Sequence, residues 1–109
     1  MLFHLDFHVE YPAGMSQQDF LAIWAEEADA ALGAKQAGVV VDLWKCVGRR
    51  RVIAILDTPS PDTLDQILFD LPIMKKLGQH VQVEVTSLRR YEDFAADVKA
   101  RLSGSGNHW

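Results

Sequence analysis

The residue best placed for chemistry is Glu27. Between Gln17 and about Lys35 the chain is rich in Ala, Leu, Glu and Gln, all good helix formers. At about 100° per residue, Phe20, Trp24 and Ala31 fall in a narrow stripe, with Ile23 and Ala28 on its flanks. Glu27 projects into the middle of that stripe, Glu26 points well away, and Asp29 lies on the opposite side. A carboxylate aimed at a sheet among aromatic and aliphatic side chains loses hydration. Its pKa then rises, and it becomes a better general base near neutral pH. The same spacing also suits a glutamate at the rim, paired with an arginine or lysine, and the pattern leaves both open.

Other constellations carry less. His4, Asp6 and His8 share one strand face, and two histidines with a carboxylate can bind a metal. Successive same-face residues on a strand are roughly 7 Å apart, which suits chelation poorly. A polar face, or a dimer interface with hydrogen-bonded histidines, fits that spacing better. Arg49-Arg50-Arg51 can hold a carboxylate through bidentate guanidinium contacts, or can simply be a solvated hairpin tip, as favoured for Arg49 and Arg50. Arg89-Arg90 has the same two readings. Trp44 reads as core rather than as a substrate platform, and Cys46, on its face, as an inert buried thiol. The chain has no Gly-rich phosphate loop, no nucleophilic serine motif and no zinc spacing. Enzymatic chemistry here is therefore expected to be proton transfer without cofactor or metal.

The elements that position these residues follow from periodicity. Phe3, Leu5, Phe7 and Val9 alternate with His4, Asp6, His8 and Glu10, the period of a half-buried strand. Tyr11-Pro12-Ala13-Gly14 breaks it, and Ser16 with Asp19 forms a variant capping box for the first helix. Val39 to Val47 and Arg51 to Asp57 read as strands joined at Gly48-Arg49-Arg50. Ser60 and Pro61 suit the N-cap and first position of a second helix, whose apolar stripe is Leu64, Ile67, Leu68 and Leu71. Pro72 ends it or allows one short further turn before Gly78. His80 to Leu88 is a fourth strand, and Phe94, Val98 and Leu102 mark a C-terminal amphipathic helix. This order predicts an α+β, ferredoxin-like βαββαβ antiparallel sheet with helices on one face, plus a C-terminal helix. Residues 1–102 form the single domain, and 103–109 read as a flexible tail.

Composition bounds the function. The 109 residues are 49% apolar and 24% charged, average for one globular domain and unlike a disordered chain. A net charge of −4 disfavours nucleic-acid binding, which needs clustered positive charge. No apolar run approaches the roughly 18 residues of a membrane span. One cysteine excludes an intrachain disulfide. No basic segment followed by an apolar core opens the chain, so the cytoplasm is the expected compartment.

A set of short matches carries a resemblance. Met1 to His4, Pro12, Met15, Leu43-Trp44-Lys45, Gly48, Asp57-x-Pro59-Ser60 with Leu64, Leu71-Pro72, Glu84-Val85 and Leu88-x-Arg90 together resemble muconolactone Δ-isomerase. The similarity covers roughly Met1 to Arg90, with a few extra residues near Lys75 to Val81. It implies the ferredoxin-like fold, homodimers that build larger rings such as decamers, and a double-bond shift in a five-membered lactone during aromatic catabolism. It also implies a base on the first helix, where Glu27 stands. Candidates for pocket shape are Phe3, Phe7, Ile23, Trp24 and Trp44. His8, Lys45 or Arg51 are candidates for holding an anionic oxygen. The departures are Trp24 where the family tends to have lysine, Arg49-Arg50 for His-Tyr, Val41-Asp42 for Arg-His, and a longer C-terminal helix. They point toward a more apolar ring substrate. The alternatives are a chloromuconolactone dehalogenase, another lactone or enone isomerase, or a non-catalytic ligand-binding dimer.

Overall fold

Strict alternation in the first nine residues makes β1 (Leu2–Val9) the strand on which the domain is built. The structure, a computed structural model, describes residues 1–105. β1 pairs antiparallel with β3 (Arg51–Asp57) on one side and with β4 (Val81–Leu88) on the other. β2 (Val40–Lys45) lies outside β3, so the order is β2-β3-β1-β4 with every pair antiparallel. Three helices cover one face: α1 (Gln17–Gln36), α2 (Pro61–Asp70) and the short α3 (Pro72–Leu77). This is the ferredoxin-like arrangement expected from the order of elements.

Local signals set the boundaries. The Ser16 hydroxyl accepts the Asp19 amide at the start of α1, and the Ser60 hydroxyl accepts the Thr63 amide at the start of α2. Pro61 opens α2 and Pro72 opens α3, because proline at a first helical position has no donor to lose. Gly38 and Gly48 take positive φ, +85° and +74°, where a side chain would be strained. β2 is shorter than its valine run suggests and carries a bulge. Val40 faces Leu56, and the next paired residue, Asp42, faces Ile55. The extra residue, Val41, is exposed, and its insertion lets both Val40 and Leu43 face the helices.

The core divides into two clusters. Phe3, Leu5, Val40, Ala54, Leu56 and Leu64 form one, and Val9, Phe20, Ile73, Leu77 and Val81 form the other. Phe7 and Val83 touch both. The other sheet face is polar at its centre. Asp6 is buried there, and Arg51 grips it bidentately, Nε to Oδ1 at 2.8 Å and Nη2 to Oδ2 at 2.6 Å. His8 Nε2 lies 3.2 Å from Oδ1. Trp44, expected in the core, stands half-exposed on this open face, opposite Ile53.

The C-terminal helix α4 (Tyr91–Ala100) forms where expected but packs mainly on the turn that follows it. Tyr91, Phe94, Val98 and Leu102 are all exposed, and the long dimension of the chain is 62 Å. Of the tail read from Ser103, residues 103–105 continue as a helical turn with Gly104 at φ 93°. Residues 106–109 lie outside the described part.

The Asp6–Arg51 pair gives a stability test. Arg51, above all by hydrogen bonding, holds the Asp6 carboxyl below its ordinary range, against the opposing effect of burial. A depressed folded pKa contributes stability above the unfolded value of about 3.9, lost as pH falls through the folded one. Asp6→Asn is expected to cost about 1–3 kcal/mol near pH 7. In urea titrations its deficit from wild type should shrink on acidification below about pH 4.

Candidate active site

α1 supplies a wall of small residues. Ala30, Ala31 and Ala34 face the sheet where larger side chains would have closed the space between α1 and α2. A cleft of about 90 Å³ remains between the two halves of the core. Its floor is Phe7, Val9, Val52, Ala54 and Leu56 of the sheet, and Leu43 comes from bulged β2. Ile67, Leu68, Leu71 and Ile73 close the far side, from α2 and the start of α3. Trp24 lines the near side, its ring edge-on to Phe20 with centroids 5.6 Å apart, and Phe20 in turn lies 4.7 Å from Tyr11.

Glu27 is the one ionisable residue in that lining. Its Oε2 is buried and has no hydrogen-bond partner. Burial pushes the carboxyl up from 4.5 to about 7, and the Ile73 amide in the first turn of α3 pulls more weakly the other way. The lysine that a rim position would need goes elsewhere: Lys76 holds Glu26, at 2.7 and 2.8 Å. An unpaired buried polar atom costs roughly 1–3 kcal/mol. Such a group, shifted toward neutrality in an apolar cleft, has the properties of a general base.

The structure brings together part of the residue set expected from sequence. Phe7, Trp24 and Glu27 line one cleft. Phe3 is buried in the first core cluster, Ile23 packs against the second, and neither lines the cleft. Strand parity separates His8, Arg51 and Trp44 from it, and position at the strand end separates Lys45. His8 and Arg51 point to the open face and are engaged by Asp6. Trp44 shares that face, and its predecessor Leu43 takes the cleft position. Lys45 is exposed at the end of β2, with Nζ 3.0 Å from the Cys46 carbonyl. None of these four reaches the cleft. Its alanines, Leu43 and Leu71 were not expected as site residues. The recurrence of alanine at positions 30, 31 and 34 was the available signal, and the bulge that turns Leu43 inward had none.

The raised carboxyl has a thermodynamic signature. Between about pH 4.5 and 7 the folded chain keeps a proton that the unfolded chain has lost, so stability falls as pH rises through this window. Glu27→Gln stays neutral throughout. It is expected to be more stable than wild type near pH 8 by up to about 3 kcal/mol, less whatever solvent at the cleft mouth screens, and to match it near pH 4. Urea unfolding at the two pH values measures the difference.

Comparison with known proteins gives a consistent result. A family model described as muconolactone delta-isomerase matches residues 1–93. A protein named muconolactone Delta-isomerase 2, from Acinetobacter lwoffii, is 31% identical over 84% of this chain and 91% of its own length. A muconolactone Delta-isomerase from Pseudomonas aeruginosa is 29% identical over the same shares. A crystal structure of muconolactone isomerase superposes with a TM-score of 0.70 at 29% identity, covering 83% of this chain and 90% of that one. A 5-chloro-2-hydroxyhydroquinone dehydrochlorinase from Burkholderia phenoliruptrix, in complex with 2,5-dihydroxybenzoquinone, has a TM-score of 0.58 over 85% of this chain and 98% of that one. At 14% identity that likeness concerns the fold alone. With the model match spanning most of its length, the chain belongs to the muconolactone delta-isomerase family.

Proposed function

We propose that the chain is an isomerase that moves a carbon–carbon double bond within a small unsaturated lactone, with Glu27 as the proton carrier. One observation carries the assignment of the base: an unpaired carboxyl oxygen buried in an apolar cleft, on a group that titrates near neutrality. Family membership supports the reaction class.

In this reading the Glu27 carboxylate removes a proton from a ring carbon acidified by conjugation with the lactone carbonyl. The C–H electron pair delocalises into a dienolate. The Glu27 carboxyl then returns the proton at another carbon of the same system, and the carboxylate is restored. No atom is gained or lost. A base with a pKa near the working pH suits both halves of this cycle, because it accepts and donates with little driving force in either direction. The dry walls keep bulk water from taking the proton midway.

Assembly into a homo-oligomer, a dimer at least, belongs to the same proposal. Phe94 and Val98 of α4 and Leu102 just beyond it are exposed, and half-buried Ile53 and Ile55 with Trp44 line the open sheet face. Surfaces of this kind usually meet a partner. The single cysteine, half-buried Cys46, fits a reducing compartment such as the cytoplasm.

Proton NMR in D2O tests the chemistry, with an unsaturated five-membered lactone offered as muconolactone and as its methyl ester. Wild type is expected to shift the double bond and incorporate deuterium, and Glu27→Gln to lose about 10²–10⁴-fold in rate. The wild-type kcat/KM should rise with pH and level off above an apparent pKa of about 7. A Glu27→Gln protein of near-wild-type activity would remove Glu27 as the base. Light scattering tests assembly: a mass of at least two chains is expected, reduced when Phe94 and Val98 are both replaced by Asp.

A further inference from the structure

We infer that Lys45 is a specificity-determining residue: its ammonium meets an anionic arm on a ring held in the cleft, at the end where the cleft opens. The inference deepens the proposed function and rests on that reading for the ring and its place.

The sheet register positions Lys45. Side chains of directly paired residues in neighbouring strands stand on the same face. Lys45 pairs with Val52, and Leu43, two residues earlier, pairs with Ala54. Leu43, Val52 and Ala54 all line the cleft. The Lys45 side chain therefore leaves the sheet on the helical side, just beyond the lining. The bulge at Val41 is what directs it there. Without the extra residue, Lys45 would stand on the face opposite Val40.

Burial falls in the same direction. Val40 and Leu56, paired at the far end of these strands, are 7% and 5% exposed. Leu43 and Val52 are half-buried, and Lys45 is exposed. The cleft thus opens toward Lys45. A charged arm that leaves by this end keeps part of its water, which the aliphatic interior would strip away.

The ammonium is lightly held. Nζ donates to the Cys46 carbonyl at 3.0 Å, and that bond is exposed. An ammonium has three donors, and its flexible four-carbon stem re-aims them readily. Among the described residues Lys45 has no ion pair, whereas Lys35 is held by Asp42 and Lys76 by Glu26. Two opposite charges then orient one ring. Glu27, anionic during proton abstraction, repels the arm from the inner cleft, and Lys45 attracts it at the opening. The reacting carbons are turned toward the base and the arm toward the ammonium. Charge is read by a side chain outside the lining, and the lining itself reads shape.

The test is calorimetric binding to the assembled protein near pH 8 of a matched pair: a saturated γ-lactone bearing a carboxymethyl arm, and its methyl ester. A saturated ring cannot isomerise, so this readout does not depend on turnover. Wild type is expected to favour the acid. Lys45→Met keeps the stem and loses the charge; its acid-to-ester affinity ratio should fall about 10-fold, with ester affinity changed less than about 2-fold. Lys45→Arg should retain the preference. Added salt should erode the acid's advantage in wild type and leave Lys45→Met unmoved. A Lys45→Met protein with the wild-type ratio overturns the inference and assigns the charge reading to another cation, one from a neighbouring copy included. Equal binding of acid and ester by wild type overturns it as well, and so does failure to bind either. The unsaturated pair separates this inference from the one beneath it. Glu27-dependent isomerisation with an acid preference untouched by Lys45→Met overturns the role of Lys45 alone. A Lys45-dependent acid preference in binding, with no Glu27-dependent isomerisation, overturns the catalytic reading alone.

Discussion

One carboxyl group held out of water organises this domain. Among the described residues the buried Oε2 of Glu27 has no hydrogen-bond partner, and the cleft around it is aliphatic and aromatic. A protein interior normally satisfies such a group or excludes it. Here the surrounding elements keep it as it is. α1 contributes alanines that leave space instead of filling it, and the core is split into two clusters rather than closed into one. The energetic penalty falls mainly on the ionised form, and for that reason the group titrates near neutrality.

The sheet enforces a division of labour that makes such a site possible. Because side chains alternate across a strand, every polar residue of β1 that faces away from the helices is kept out of the cleft. His4, Asp6 and His8 all lie there, with Arg51 opposite His8. The buried charge on that side, Asp6, is gripped at both oxygens. The buried acid on the helical side, Glu27, has an oxygen with no hydrogen-bond partner among the described residues. The two acids lie within one small domain and are shifted in opposite directions, Asp6 down by its guanidinium and Glu27 up by desolvation. Partner chemistry sets the sign, since both groups are removed from solvent.

Much of this was legible in the residues. The alternation of β1, the caps at Ser16 and Ser60, and the prolines at 61 and 72 each act locally, so their consequences could be read without the tertiary structure. The inward direction of Glu27 was legible for the same reason, since helical phase depends on spacing alone. What escaped was non-local. The register break at Val41 reverses the inside and outside of β2 along its length. It placed Leu43 in the cleft and Trp44 on the open face, although the chain there reads as continuous strand. Ala28, expected on the flank of the stripe, is exposed, because the cleft draws on positions 27, 30, 31 and 34. Which of His8, Lys45 and Arg51 could meet an anion also depended on sheet face: parity removes His8 and Arg51 from the cleft, whereas Lys45 shares the parity of Leu43 and sits exposed at the strand end with Nζ on the Cys46 carbonyl.

Trp24 connects the fold to the substrate. It packs edge-on against Phe20, which stacks near Tyr11, whose hydroxyl donates to the Met15 carbonyl at 2.9 Å. The ring is thus held from the loop that launches α1, one helical turn ahead of the base. At this place the chain has a rigid apolar surface bordering the reacting group. A lysine there would do two things at once: pair with an anionic substituent and pull the glutamate pKa down. An indole does neither. Trp24 therefore leaves the effect of burial on Glu27 without an opposing charge at this position.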